Sequence, residues 1–134
     1  AFIIFVSALY IAPTTWWYEY RSIAPVASVL AIGEPLKLVS TIRVTRAGSA
    51  IVFKDQLRCV TDSGDAVIET KVFPTALKGP VDTWKKTPWI WGKIPEETPK
   101  GIPCYIRSIQ TLTTVFGIER VTEYISETFI VSDN

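Results

Sequence analysis

The chain has 134 residues, 48% of them hydrophobic and 20% charged, which fits about one domain with a core of its own and excludes a disordered chain. The net charge is +1, and Lys85-Lys86 is the one adjacent basic pair; a groove tracking phosphates is excluded, and no nucleic-acid partner is expected. Histidine is absent and there are two cysteines, which excludes Ser-His-Asp and Cys-His nucleophiles and a closed tetrahedral zinc site; no catalytic residue, metal or cofactor is expected.

Ala1 to Tyr18 carries no charged side chain, and the first charges are Glu19 and Arg21. As a helix, this run would reach about 27 Å at 1.5 Å per residue, near the ~30 Å of a hydrocarbon core. Trp16, Trp17 and Tyr18 then fall where amphipathic rings settle at the headgroup level. The expectation is an N-terminal hydrophobic, transmembrane-like helix, with residues 1–21 as a membrane anchor. Pro13 shortens that helix, so a full span would need residues upstream of Ala1; with Met absent throughout, a removed or omitted upstream segment is expected. Burial of this run as a first strand, or inside an assembly, is the competing reading, since Phe2 to Val6 are good strand formers. A signal peptide fits less well, because no basic stretch precedes the run and Tyr10-Ile11-Ala12 is a poor cleavage site.

Residues 22–35 read as a connector leading into a strand, with Pro25 and Pro35 bracketing Val26 to Ile32. From residue 36 to 134 the pattern is β. Leu36 to Arg46 alternates with period two, the mark of a strand with one buried face. Ala50 to Thr61 is a second such strand, Asp62-Ser63-Gly64-Asp65 a hairpin turn, and Val67 to Phe73 a third strand. Residues 74–101, rich in Pro and Gly, read as loop. Ile102 to Thr114 and Glu119 to Val131 complete a sandwich of six to seven strands.

The stretch from Lys93 to Arg107 places Pro and Gly ahead of Tyr105, and so resembles the lead-in to a late strand of immunoglobulin-like modules. With Trp16-Trp17-Tyr18, the Gly33 to Arg46 strand, Trp89-Ile90-Trp91 and Ser126 to Val131, the layout resembles small phage- or prophage-encoded proteins that carry one hydrophobic segment and one immunoglobulin-like domain. The resemblance implies an all-β, immunoglobulin-like antiparallel sandwich on a membrane anchor, in the host membrane or in a virion that contains one. It transfers no site residues. The chain departs from antibody domains in that Cys104 precedes Tyr105 and no core Trp follows Cys59 at the usual place, so an inter-sheet pin does not carry over.

Cys59 and Cys104 both fall on expected strands. They pair if the domain faces an oxidising compartment, for roughly 3–4 kcal/mol, or they pack as buried free thiols. Trp84, Trp89 and Trp91 either cap the core, anchor a protein interface together with Tyr105, or form a platform for sugar rings. Glu96-Glu97 and Asp82 are weak hydrolase candidates, because adjacent acids in a Pro-rich loop are usually solvated. The function expected from the sequence is a non-catalytic structural or interaction protein at a bilayer. Its sandwich would contact an unknown protein partner, or a second copy through exposed strand edges.

Overall fold

A computed structural model describes residues 14–114 and 117–132. Side chains that alternate between apolar and polar put one face of each long strand in the interior. Leu36, Leu38, Ser40 and Val44 point inward from one strand, Ile51, Asp55, Leu57 and Cys59 from the next, and Cys104, Ile106, Ser108, Gln110 and Leu112 from a third.

The chain runs from a short 3-10 turn, Thr14–Trp16, through nine strands: β1 (Tyr18–Pro25), β2 (Val29–Ala31), β3 (Pro35–Val44), β4 (Ala50–Thr61), β5 (Gly64–Ala76), β6 (Trp84–Lys93), β7 (Pro103–Thr113), β8 (Glu119–Ile125) and β9 (Phe129–Ser132). One sheet has the order β1-β3-β6 and the other β2-β9-β7-β4-β5, with β8 also beside β7. The first residues of β7 pair with β9 and the remainder with β8, so those two short strands share one side of it. All pairings between strands are antiparallel except β2 with β9, which is parallel.

The two flanks of this β-sandwich differ. On one, β1 meets β8: the Tyr20 and Tyr124 rings lie 5.0 Å apart, and the Tyr18 hydroxyl is 3.0 Å from Thr122 Oγ1. On the other, β5 pairs only with β4 and β6 only with β3 among the described residues, and no ladder joins them. At one end the connection 77–83 carries the chain from β5 across to β6, with the Asp82 amide donating to the Val44 carbonyl; along the strands themselves only side chains span that gap. Phe73 and Trp89 meet edge to face at 6.2 Å, and Lys71 Nζ donates to the Trp91 carbonyl at 3.0 Å and lies over the Trp91 ring. A Cβ on Gly92 would fall 2.0 Å from Lys71 Nζ, and its φ of +149° is one that side-chain-bearing residues rarely adopt. Glycine there is what lets the lysine cross.

The interior is two apolar clusters. One gathers Leu36, Leu38, Leu57, Trp91, Ile94, Ile106 and Phe129 with the two cysteines, and the other Trp17, Tyr18, Val44, Ile51, Leu77, Leu112 and Ile118. Cys59 and Cys104 are register partners on neighbouring strands β4 and β7, with Cα atoms 4.0 Å apart, and are joined by a disulfide. The bond lies within one sheet and does not pin two sheets together.

Several sequence expectations are corrected. The sandwich does not start at residue 36: residues 17–35, assigned to the anchor and connector, contain β1 and β2. Tyr18 and Ile23 face inward from β1 and are buried, a burial that outweighs the run's resemblance to a membrane helix. Residues 1–13 of the expected anchor lie outside the described residues. No helix among the described residues is long and apolar enough to cross a membrane. The stretch 74–101 is not all loop, because β5 runs on to Ala76 and β6 fills 84–93. Pro74 and Pro88 do not stop these strands because both are outermost in their sheets, where a missing N–H need not break a ladder. The expected last strand is two. Between them Ser126 Oγ accepts from the Ile106 amide, and the Glu127 amide donates to the Ile23 carbonyl.

Candidate functional site

Between the two apolar clusters the facing sheets leave a slot of about 410 Å³. Tyr20 of β1, Ser40 and Ile42 of β3, and Thr87 and Trp89 of β6 line it from one sheet. Phe53 and Asp55 of β4, Phe73 and Thr75 of β5, and Ser108 of β7 line it from the other. A second hollow of about 240 Å³, reaching Val44, Ile51, Leu77 and Pro80, shares Ile42, Phe53, Thr75 and Thr87 with it. The two lie along the flank where β5 and β6 are unpaired.

On one wall Ser40 Oγ accepts hydrogen bonds from the Tyr20 hydroxyl at 2.5 Å and from Trp89 Nε1 at 2.8 Å. Both rings are thereby fixed in place. Burial pushes the Tyr20 phenol up to about 12, so it stays a neutral donor at ordinary pH. A buried polar chain crosses to the facing wall: Tyr18 of β1 donates through its hydroxyl to Gln110 Oε1 of β7 at 2.7 Å, and Gln110 Nε2 donates to Ser108 Oγ at 3.3 Å. Ser108 is the register partner of Asp55 across the β4–β7 ladder; burial holds the Asp55 carboxyl above the usual carboxylate range, and the neighbouring Ser108 hydroxyl offsets part of the rise.

Asp55 stands at the end of that chain. It is 2% exposed, and its Oδ1 has no hydrogen-bond partner. Lys71 stands directly across from it in the β4–β5 register, yet the lysine ammonium is committed to the Trp91 carbonyl and ring. No cation lies within salt-bridge distance of Asp55 among the described residues. A buried charge without a partner is costly, so this orphaned oxygen is the most conspicuous chemical feature of the interior.

The residues singled out from sequence fall in several places. Trp89 lines the slot. Trp91 points inward beside it but is 2% exposed and part of the core. Trp84 lies on the outer face of its sheet beneath Arg21, whose guanidinium is 4.0 Å from the ring centroid, with Arg43 nearby. The three tryptophans therefore form no common platform. Tyr105 is on the outer face of β7 and donates to Asp65, which holds its phenol above the ordinary value. Trp17 and Tyr18 are buried in the core and cannot meet a bilayer with their rings; Trp16 remains exposed. Glu96, Glu97 and Asp82 are exposed, with nothing to draw them together.

Sequence reasoning passed over Asp55, Ser40, Ser108 and Gln110. The signal was present, because Asp55 is in phase with Ile51, Phe53, Leu57 and Cys59, and Gln110 with Ile106 and Leu112. A charged or amide side chain in phase with a core stripe marks an interior polar site.

No family model matches the chain, and no curated protein matches it. Among solved structures it resembles Spo0M, the sporulation control protein from Bacillus subtilis, with a TM-score of 0.53 and 13% identity over 88% of this chain and 50% of that one. It is also aligned with the Pseudomonas fluorescens alkylpurine DNA glycosylase AlkC bound to DNA containing an abasic site analog, with a TM-score of 0.46 and 16% identity over 86% of this chain and 30% of that one. The chain thus spans half the length of the first and less of the second. The Spo0M likeness is one of fold; the weaker likeness to AlkC carries no argument.

Proposed function

We propose that the chain is a non-catalytic binding module whose β-sandwich takes a small ligand into the slot between its sheets. The observation that carries this reading is the slot's lining. Four aromatic rings, Tyr20, Phe53, Phe73 and Trp89, are only partly buried and face one space of about 410 Å³. Pockets for small molecules have this size and this mixture of apolar walls with a few placed polar groups. The edges beside the opening are poor templates for an added strand, because Pro74 and Pro88 interrupt them and Lys71, Lys85, Lys86 and Lys93 line them. A small ligand therefore fits the open flank better than β-augmentation or self-pairing does. The five tryptophan indole N–H groups offer a direct test by nitrogen-15 NMR with small neutral aromatic probes such as indole and 2-phenylethanol. Shifts concentrated at Trp89 Nε1–H and the Asp55 and Thr75 amides are expected. Shifts scattered over the surface, or none at millimolar concentration with these probes and with 2-phenylethylamine, would sink the reading.

A bilayer tether is a second part of the proposal. The charge-free residues ahead of Thr14 join the fold at the pole where Trp17, Val44 and Leu77 cluster, away from most of the slot lining. The full chain is expected to float with liposomes, whereas a chain starting at Thr14 stays in solution. Equal partitioning of the two would remove the tether and leave the pocket.

A further inference from the structure

We infer that the slot is selective for a small organic ammonium ion, whose charged head pairs with Asp55 while its hydrocarbon part lies against Phe53, Phe73 and Trp89. This rests on the binding-module reading and adds the charge of the ligand.

The starting point is Asp55, which lines the slot, is 2% exposed, and has a buried carboxyl oxygen, Oδ1, with no hydrogen-bond partner. Ser108 is its register partner across the β4–β7 ladder and favours the ionised carboxyl. An ammonium brings up to three donors and a full positive charge, which is what a buried, half-satisfied carboxylate lacks. The remaining walls suit the same ion. Aromatic faces attract cations through their quadrupole, and four rings surround this space. Ser40 already accepts two hydrogen bonds, so its own proton is free to turn toward the slot or away from it as the ligand requires. An anion would meet Asp55 head on. A neutral molecule would fill the space and leave Oδ1 unpaired.

Lys71 is the one competing cation from the strands around Asp55. It faces Asp55 in register from β5, but its ammonium is drawn to the far side of the slot by the Trp91 carbonyl and by the Trp91 ring, 4.5 Å away. Lys85 and Lys78 border the adjoining hollow and do not line the space around Asp55. A visiting ammonium therefore has Asp55 to itself.

The test uses a near-isosteric pair, 2-phenylethylamine and 2-phenylethanol, titrated into the full chain at pH 7 and followed at the Trp89 indole N–H. Adding one charge-assisted hydrogen bond in a buried site corresponds to about 10- to 100-fold in affinity, so the amine should bind tighter by that factor. Asp55→Asn should abolish the preference while leaving binding of the alcohol in place, which also shows that the variant is folded. Lys71→Gln should preserve the preference or increase it, since it removes a like charge. Equal binding of amine and alcohol by the parent chain would overturn the ammonium inference and leave the pocket standing. A preference that survives Asp55→Asn, or one lost in Lys71→Gln, would overturn it as well. If neither probe binds, the binding-module reading falls with it.

Discussion

Replacing both cysteines, Cys59→Ala with Cys104→Ala, is expected to lower the unfolding free energy by about 4 kcal/mol in the chain-entropy model, given a separation of 45 residues. Against the 5–15 kcal/mol that holds a typical domain together, this is a large share. In that model the effect is set by the length of the closed loop and not by where in the sheet the bond lies. The bond ties β4 to β7, the two strands from which the larger sheet extends in both directions, and both cysteines are fully buried in the cluster with Leu57, Ile106 and Trp91. The loop it closes contains all of β5 and β6, the strands that flank the slot. Urea unfolding of the parent chain, oxidised and reduced, measures the same quantity without mutation. A midpoint unmoved by reductant would mean that the bond constrains nothing in the unfolded chain.

The second large effect is a dependence of stability on pH that traces to one residue. Burial raises the folded-state affinity of Asp55 for its proton above that of the unfolded chain. Between the ordinary carboxylate value of about 4 and the raised folded value, the folded protein binds the proton more fully, so stability falls as pH rises through that window and stays lower above it. Asp55→Asn removes the ionisation and should therefore be more stable than the parent at pH 7, by about 1–3 kcal/mol, the range for a buried polar group left unpaired. The advantage should shrink as pH is lowered, and vanish once the parent carboxyl is protonated in both states. Chemical denaturation of the two proteins from pH 3 to pH 8 gives the difference curve, in which the other titrating groups cancel. A difference that is flat with pH would show that Asp55 titrates alike in folded and unfolded chains.

The middle of the fold was legible in the sequence because its strands have one wet and one dry face. Leu36 to Val44 and Ala50 to Thr61 announce themselves by alternation, and Asp62-Ser63-Gly64 by turn chemistry. The N-terminal strand was not legible in the same way. Tyr18-Glu19-Tyr20-Arg21 follows an apolar run without a break in composition, and hydropathy alone cannot separate a sheet interior from a bilayer edge. β6 was hidden by Pro88 and by a flanking stretch rich in Pro and Gly. Prolines mark loops in most contexts, but an outermost strand tolerates them, and sheet order is a tertiary fact that no local window contains. The slot was hidden for a related reason. Its walls come from six strands, and only pairing brings Ser40, Asp55 and Trp89 to face one another. What the sequence did hold was the out-of-place acid at Asp55, readable once the phase of its strand is fixed.

The contrast between the two flanks makes the sandwich mechanically lopsided. It resembles a book, with the tyrosines of β1 and β8 along its spine and β5 and β6 at the fore-edge. Opening the covers at the fore-edge breaks no rung of either ladder. The contacts released first, the Lys71 ammonium on the Trp91 carbonyl and Phe73 on Trp89, are worth roughly 2–4 kcal/mol together; wider opening also uncovers Trp91, which is packed in the core cluster. Such a latch is strong enough to keep the covers closed nearly all the time and weak enough to be released by thermal fluctuation, so the proposed ligand would enter while both sheets keep every strand in register.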